Sequence, residues 1–156
     1  MAIRPELSAA RDRMTMGLHA APDFTAACTI VVTTLHRCLP DYDWVGVYVV
    51  EGEALVLGAW AGAHHTDHGR IPIAHGICGA AVRLDETVIV DDVQSDPRYL
   101  ACFTSTRAEI VVPIHDATGT IVGEIDVDGP RQSAFDADDR EFLEELAARL
   151  GAKWSA

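Results

Sequence analysis

Basic residues are scarce in this chain: twelve Lys and Arg stand against twenty-four Asp and Glu, a formal charge of −12. Nucleic acids and anionic lipid surfaces are held by a net basic face, so neither is expected as a partner. Long apolar runs are absent too, none approaching the ~20 residues that span a bilayer. The first residues reach Pro5 and Glu6 with no hydrophobic signal core behind them, so a soluble cytoplasmic protein is expected. Cysteine is sparse, at Cys28, Cys38, Cys78 and Cys102. In a reducing cytosol such a set is not a disulfide framework, so a cysteine with a role is catalytic, redox-active or metal-binding. No C-x-x-C zinc spacing occurs, and residues 69–76 hold too few glycines, wrongly spaced, to cradle a phosphate. Repeats, low-complexity tracts and internal linkers are also missing.

What is present describes one globular domain over 1–156. The chain has 156 residues, 49% of them hydrophobic, enough to close a core without staples. Two helices are expected first, over 6–19 and from a cap at Asp23 to about Leu39, the second ended by Pro40. Cys28, Val31, Leu35 and Cys38 form one stripe on that second helix. Strands over 44–50 and 54–60 flank a Glu51-Gly52-Glu53 turn and read as a hairpin. Alternation sends Trp44, Gly46, Tyr48 and Val50 to one face and Val45, Val47 and Val49 to the other. Residues 61–75 have no regular period. A short helix from Gly76 to Leu84, a strand over 87–90 and a turn of helix with a crossing loop over 98–108 come next. A second hairpin (109–115 and 120–127) and a helix capped by Asp136, with Phe142, Leu146 and Leu150 inward, complete the order. This is an α+β pattern: an antiparallel sheet with the terminal helices on one face. The irregular stretches 61–75 and 91–108 are left to close the other face, where ligand pockets form.

Glu124, Asp126 and Asp128 alternate with apolar residues and project from one face. They read either as the wet side of an antiparallel sheet or as acceptors lining a cavity, where like charges raise one another's pKa. Pairing of the second hairpin puts Glu109 near Asp126 and Asp128, and Pro113 places its strand at an edge or bulge. Trp44 and Tyr48 offer an aromatic wall or ordinary core packing. Cys28 and Cys38 are buried fillers of an apolar stripe. Cys78 and Cys102 lie outside such stripes. Cys78 sits at a helix N-terminus, where the dipole is expected to lower a thiol's pKa. His64, His65 and His68 share one loop, either as surface histidines or, with two thiols, as a soft metal set.

The segments 43–48 (Asp-Trp-Val-Gly-Val-Tyr), Arg70-Ile71-Pro72 with Gly76-Ile77-Cys78-Gly79, Ala101-Cys102, 109–113 (Glu-Ile-Val-Val-Pro) and Asp126-Val127-Asp128 resemble free methionine-(R)-sulfoxide reductases, single-domain GAF proteins. The resemblance runs in order over about residues 5–150. It implies a single GAF domain with a six-stranded antiparallel sheet, the terminal helices on one face and a loop-covered pocket on the other. By the same resemblance Cys102 attacks the sulfoxide and Cys78 resolves the product to a disulfide that a thioredoxin reduces, with no tightly bound cofactor. Glu109, Asp126 and Asp128 match carboxylates that hold the substrate, Trp44 and Tyr48 match pocket aromatics, and terminal helices imply a homodimer. Departures are His68 where the family carries a third cysteine, Phe103 for an acid, Ala108 for a serine, and Glu124 as an extra carboxylate in the substrate pocket. The alternatives are a metal-dependent redox enzyme using a transition metal on His68, Cys78 and Cys102, and a non-catalytic GAF module that senses a small ligand.

Overall fold

Pro5 begins the first helix, where its fixed φ and missing N–H suit the first turn. A computed structural model describes residues 2–101, 103 and 105–155. Among the described residues four α-helices occur: α1 (Pro5–Ala20), α2 (Phe24–Cys38), α3 (Gly76–Leu84) and α4 (Ala137–Ala152). Six strands accompany them: β1 (Trp44–Glu51), β2 (Ala54–Gly62), β3 (Arg70–Pro72), β4 (Val88–Val90), β5 (Ala108–His115) and β6 (Ile121–Gly129). They form one antiparallel sheet of order β3-β2-β1-β6-β5-β4. No helix among the described residues is long and apolar enough to cross a membrane.

The period-2 pattern of β1, β5 and β6 sorts side chains onto two faces, and each face has its own core. On one, Val45, Val47, Ile110, Val112, Ile114, Ile125 and Val127 meet the stripes of the terminal helices. Those stripes are Leu7, Ala10, Met14 and Leu18 on α1, Cys28, Val31 and Leu35 on α2, and Phe142, Leu146 and Leu150 on α4. Cys38 is half-buried at the edge of this layer. Burying a Leu, Ile or Phe side chain contributes about 1.5–3 kcal/mol, so this layer supplies much of the stability. On the opposite face Trp44, Tyr48, Leu55, Ile71, Ile77, Cys78, Val93 and Val111 form a second, smaller core.

Three local expectations are corrected. Residues 70–72, within the stretch that lacks a period, form β3. This strand is only three residues long and is held by pairing with Ala54, Leu55 and Val56, so its own sequence carries no alternation. The single helical turn lies at Val93–Ser95, before the expected 98–108 window, because Asp92 caps it through Gln94. The second face is covered by α3 as well as by the irregular stretches: Ile77, Cys78 and Ala81 pack into its core. Pro113 lies in an interior strand, with Glu124 of β6 on one side. Its other side is free of ladder partners because β4 stops at the Val88–Val111 pair.

Candidate functional site

Three strands bring the candidate side chains together by register. Trp44 of β1 stands opposite Asp128 of β6, Gly46 opposite Asp126, and Tyr48 opposite Glu124. On the other side of β6, Glu109 of β5 faces Asp128, and Val111 faces Asp126. Partners directly opposite in an antiparallel ladder point to the same face. Glu109, Glu124, Asp126 and Asp128 therefore share the inner face with Trp44 and Tyr48. All four acids are buried, Glu124 completely at 0% exposure. The wet-face alternative for β6 is thus set aside: these carboxyls line an interior.

Helix α3 lays Cys78 over them. The Cys78 thiol points to Glu109 Oε1 at 3.8 Å, and Cys78, Glu109 and Asp126 each present an atom within 4.8 Å of the others'. A cavity of about 10 Å³ lies beside them, lined by Ile71, Gly76, Ile77, Cys78, Leu100 and Glu109. A larger cleft, of about 650 Å³, is elsewhere, between β5 and α4. Its lining includes His115, Arg140 and Glu144 but no thiol and none of the candidate residues.

Electrostatics inside the chamber favour neutral forms. Burial, followed by the neighbouring Asp126, Glu124 and Glu109, pushes the Cys78 thiol well above its ordinary value. This corrects the expectation for a thiol at a helix N-terminus: three carboxyls and desolvation outweigh the dipole. Burial first, then Asp126, raises Glu124. Burial likewise raises Asp126, and burial followed by Asp126 and Asp43 raises Asp128. Each of these carboxyls keeps its proton to higher pH than a free acid. Both oxygens of Glu124, Asp126 Oδ1 and Trp44 Nε1 are buried without a hydrogen-bond partner. Buried polar atoms rarely go unpaired, so four on one face of the sheet call for a physical explanation.

The aromatic residues form one side. The Trp44 ring stacks on Trp60 at 6.3 Å between centroids and contacts Phe103 at 5.7 Å. Tyr48 donates from its hydroxyl to the carbonyl of His68 at 2.9 Å, tying the histidine-bearing loop to the sheet. His68 N–H in turn donates to Thr66 Oγ1. His68 does not belong to the cluster of Cys78, Glu109 and Asp126. Cys102 lies outside the described residues. Cys28, 2% exposed in the helical layer, has its thiol pushed up to about 12 by burial, which suits a filler.

Trp60 escaped the sequence reading. Register shifts between Gly46 and Tyr48, so Gly46 pairs with Trp60 while Tyr48 pairs with Leu57. The bulge moves Trp60 onto the face of Leu55 and Leu57, where strict alternation would not put it. Gly58, a residue that often marks a bulge, was the available signal.

Comparison with known proteins agrees with this architecture. The family model described as "GAF domain" matches residues 23–154. A free methionine-R-sulfoxide reductase of Escherichia coli is 32% identical over 127 residues, 81% of this chain and 75% of that protein. One from Saccharomyces cerevisiae is 41% identical over 110 residues, 69% of this chain but only 60% of that protein. Among solved structures, the Neisseria meningitidis free methionine-R-sulfoxide reductase in complex with its substrate superposes with a TM-score of 0.86 at 29% identity, covering 98% of this chain and 92% of that one. A sheet of this strand order, with terminal helices on one face, a buried chamber on the other and a family match over nearly all its length, places the chain in the GAF-domain family.

Proposed function

We propose that this protein is a cysteine-based reductase of free methionine-(R)-sulfoxide or a closely related small sulfoxide. The observation that carries the reading is the buried cluster of Cys78, Glu109 and Asp126, with Glu124 and Asp128 on the same face. Relatives that bear the reductase name span most of this chain, and they supply the substrate class.

The chemistry runs in three balanced steps. The Cys102 thiol attacks the sulfoxide sulfur. Oxygen and the thiol's proton end on the cysteine as a sulfenic acid, and methionine leaves reduced. The Cys78 thiol then attacks that sulfenic sulfur, forming a disulfide and expelling water. This step requires the two Cα atoms to come within about 4.4–6.8 Å. A thioredoxin-type dithiol reduces the disulfide by exchange and becomes oxidised itself.

Protons are needed at the sulfoxide oxygen as the sulfur is reduced, and the carboxyls of Glu124 and Asp126, held protonated by burial, suit that supply. Cys78, pushed up by the same surroundings, stays a thiol at neutral pH, which suits a second, resolving role rather than the first attack. Glu109, Asp126 and Asp128 hold the substrate's polar groups, while Trp44 and Tyr48 supply the aromatic wall of the pocket. A cavity of about 10 Å³ cannot admit an amino acid, so the cover at Leu100 and Gly76 opens on binding. The protein works as a homodimer in this reading.

The test is NADPH consumption in the presence of thioredoxin and thioredoxin reductase. Free methionine-(R)-sulfoxide is expected to be turned over and the (S) epimer is not. Cys102→Ser should abolish turnover. Cys78→Ser should release one equivalent of methionine and then stall. Unchanged turnover in Cys102→Ser overturns the assignment.

A further inference from the structure

We propose that the chamber binds one divalent transition-metal ion of borderline hardness, with zinc(II) as the reference case, through Cys78 Sγ, Glu109, Asp126 and Glu124. The set differs from the His68, Cys78 and Cys102 combination weighed from the sequence.

Four observations converge. The first is spacing. A tetrahedral zinc with bonds of about 2.0–2.3 Å separates a sulfur from an oxygen ligand by about 3.6 Å. The Cys78 thiol and Glu109 Oε1 stand 3.8 Å apart, and the three donors lie within 4.8 Å of one another, so small side-chain adjustments close the shell.

The second is independent of the cluster: Glu124. Its side chain is 0% exposed, and neither carboxylate oxygen meets a partner at hydrogen-bonding geometry, with the Cys78 thiol near it only as a weak, longer-range neighbour. It lies two residues from Asp126 on the same face of β6 and close enough to interact with the Cys78 thiol. A wholly buried carboxyl with both oxygens unsatisfied bears its desolvation cost uncompensated. A bound cation removes that penalty. Asp126 Oδ1, unpartnered as well, points to the same remedy.

The third is size. The cavity of about 10 Å³ is lined by Cys78 and Glu109 but not by Asp126 or Glu124, so it lies beside the donor set and offers room for one water on the ion rather than for an organic ligand. The fourth is donor chemistry. Magnesium and calcium prefer oxygen alone, whereas one thiolate among carboxylates suits zinc, iron(II) or cobalt(II).

Metal and sulfoxide draw on the same Cys78, Glu109 and Asp126, so occupancy by the ion excludes the substrate. This consequence rests on the reductase reading, while the binding itself does not.

The experiment uses the reduced full chain, purified without a metal-affinity tag and stripped with chelator. Titration with cobalt(II) is expected to saturate at one equivalent per chain and to produce a near-ultraviolet thiolate-to-cobalt charge-transfer band, which zinc(II) then displaces. Cys78→Ser should lose the band. Glu124→Leu should weaken cobalt binding at least tenfold while circular dichroism stays unchanged, and Cys102→Ser should retain the band. X-ray absorption of the zinc-loaded wild-type protein, which needs no substitution, should fit one sulfur with only light oxygen scatterers and no imidazole pattern. Failure to bind a stoichiometric ion, a second sulfur, an imidazole signature, or a band that survives Cys78→Ser each overturns the proposal. None of these readouts uses catalysis, so a negative result leaves the reductase assay standing on its own.

Discussion

At the scale of single residues, the Trp44 ring occupies space that side chains at positions 46 and 62 would otherwise fill. A Cβ added to Gly46 would stand 2.3 Å from Trp44 Cη2, and one added to Gly62 would stand 2.4 Å from Trp44 Cδ1. Both glycines are therefore present for room rather than for backbone freedom, and they let the indole stack on Trp60. Gly46→Ala is expected to lower stability by about 1–3 kcal/mol through overpacking, read from the denaturation midpoint. It should also alter the tryptophan fluorescence of the native state. A variant with wild-type stability and emission contradicts this packing. Much at this scale was legible. Alternation alone put Glu124, Asp126 and Asp128 on one face of β6 and Trp44 with Tyr48 on one face of β1, and the registers show that the two faces coincide. The state of the Cys78 thiol was not legible, because the groups that decide it come from β5 and β6, far away in sequence.

At the scale of elements, the two chain ends are fastened through the start of α4. Asp136 accepts from the backbone N–H groups of Asp138 and Asp139, and the Asp139 carboxylate accepts in return from Asp136 N–H at 2.9 Å, a capping box. Arg4, just before α1, reaches across to Asp136 and Asp139. Tyr42 donates to the wholly buried Asp139 at 2.8 Å. Asp136→Ala is expected to cost about 1 kcal/mol, the usual worth of an N-cap, with little from its exposed ion pair. Asp139→Ala should cost more, because it strands the buried Tyr42 hydroxyl and the Asp136 N–H as well. Chemical denaturation of the two variants gives the comparison, and an Asp136→Ala loss equal to or larger than that of Asp139→Ala contradicts the ranking. Helices and hairpins were legible because caps and periods are local signals: Asp23 and Asp136 both cap the helices they were expected to cap. Strand β3 was not, since three residues paired only to β2 leave no period to read.

At the scale of the whole molecule, the sheet separates a dry helical layer from an acid-lined chamber, and that division governs the response to pH. Glu124, Asp126 and Asp128 are all raised, with burial the first cause in each. The unfolded chain releases these protons in the ordinary carboxylic-acid range, while the folded chain keeps them to higher pH. The folded state then binds more protons than the unfolded state, so stability falls as pH rises through that window. Asp96, lowered by Arg98, Asp116, lowered by Thr118, and Asp136, lowered by Arg4 against its desolvation, act in the opposite direction, favouring the fold above the ordinary range and losing that contribution on acidification. These three lie near the surface, where solvent screens them, so the chamber acids set the trend. The metal-free protein is therefore expected to be more stable near about pH 5 than near about pH 8, with each differing proton worth about 1.4 kcal/mol per pH unit. Glu124→Gln removes one such proton, so its stability should fall less steeply across the same range. A flat or rising profile in the wild type, or equal slopes in the two proteins, would mean that these carboxyls ionise freely in the fold. The overall layering was legible from the order of elements, but this energetic asymmetry was not. It arises from burial of β6 beneath α3, a contact between segments that no local pattern encodes.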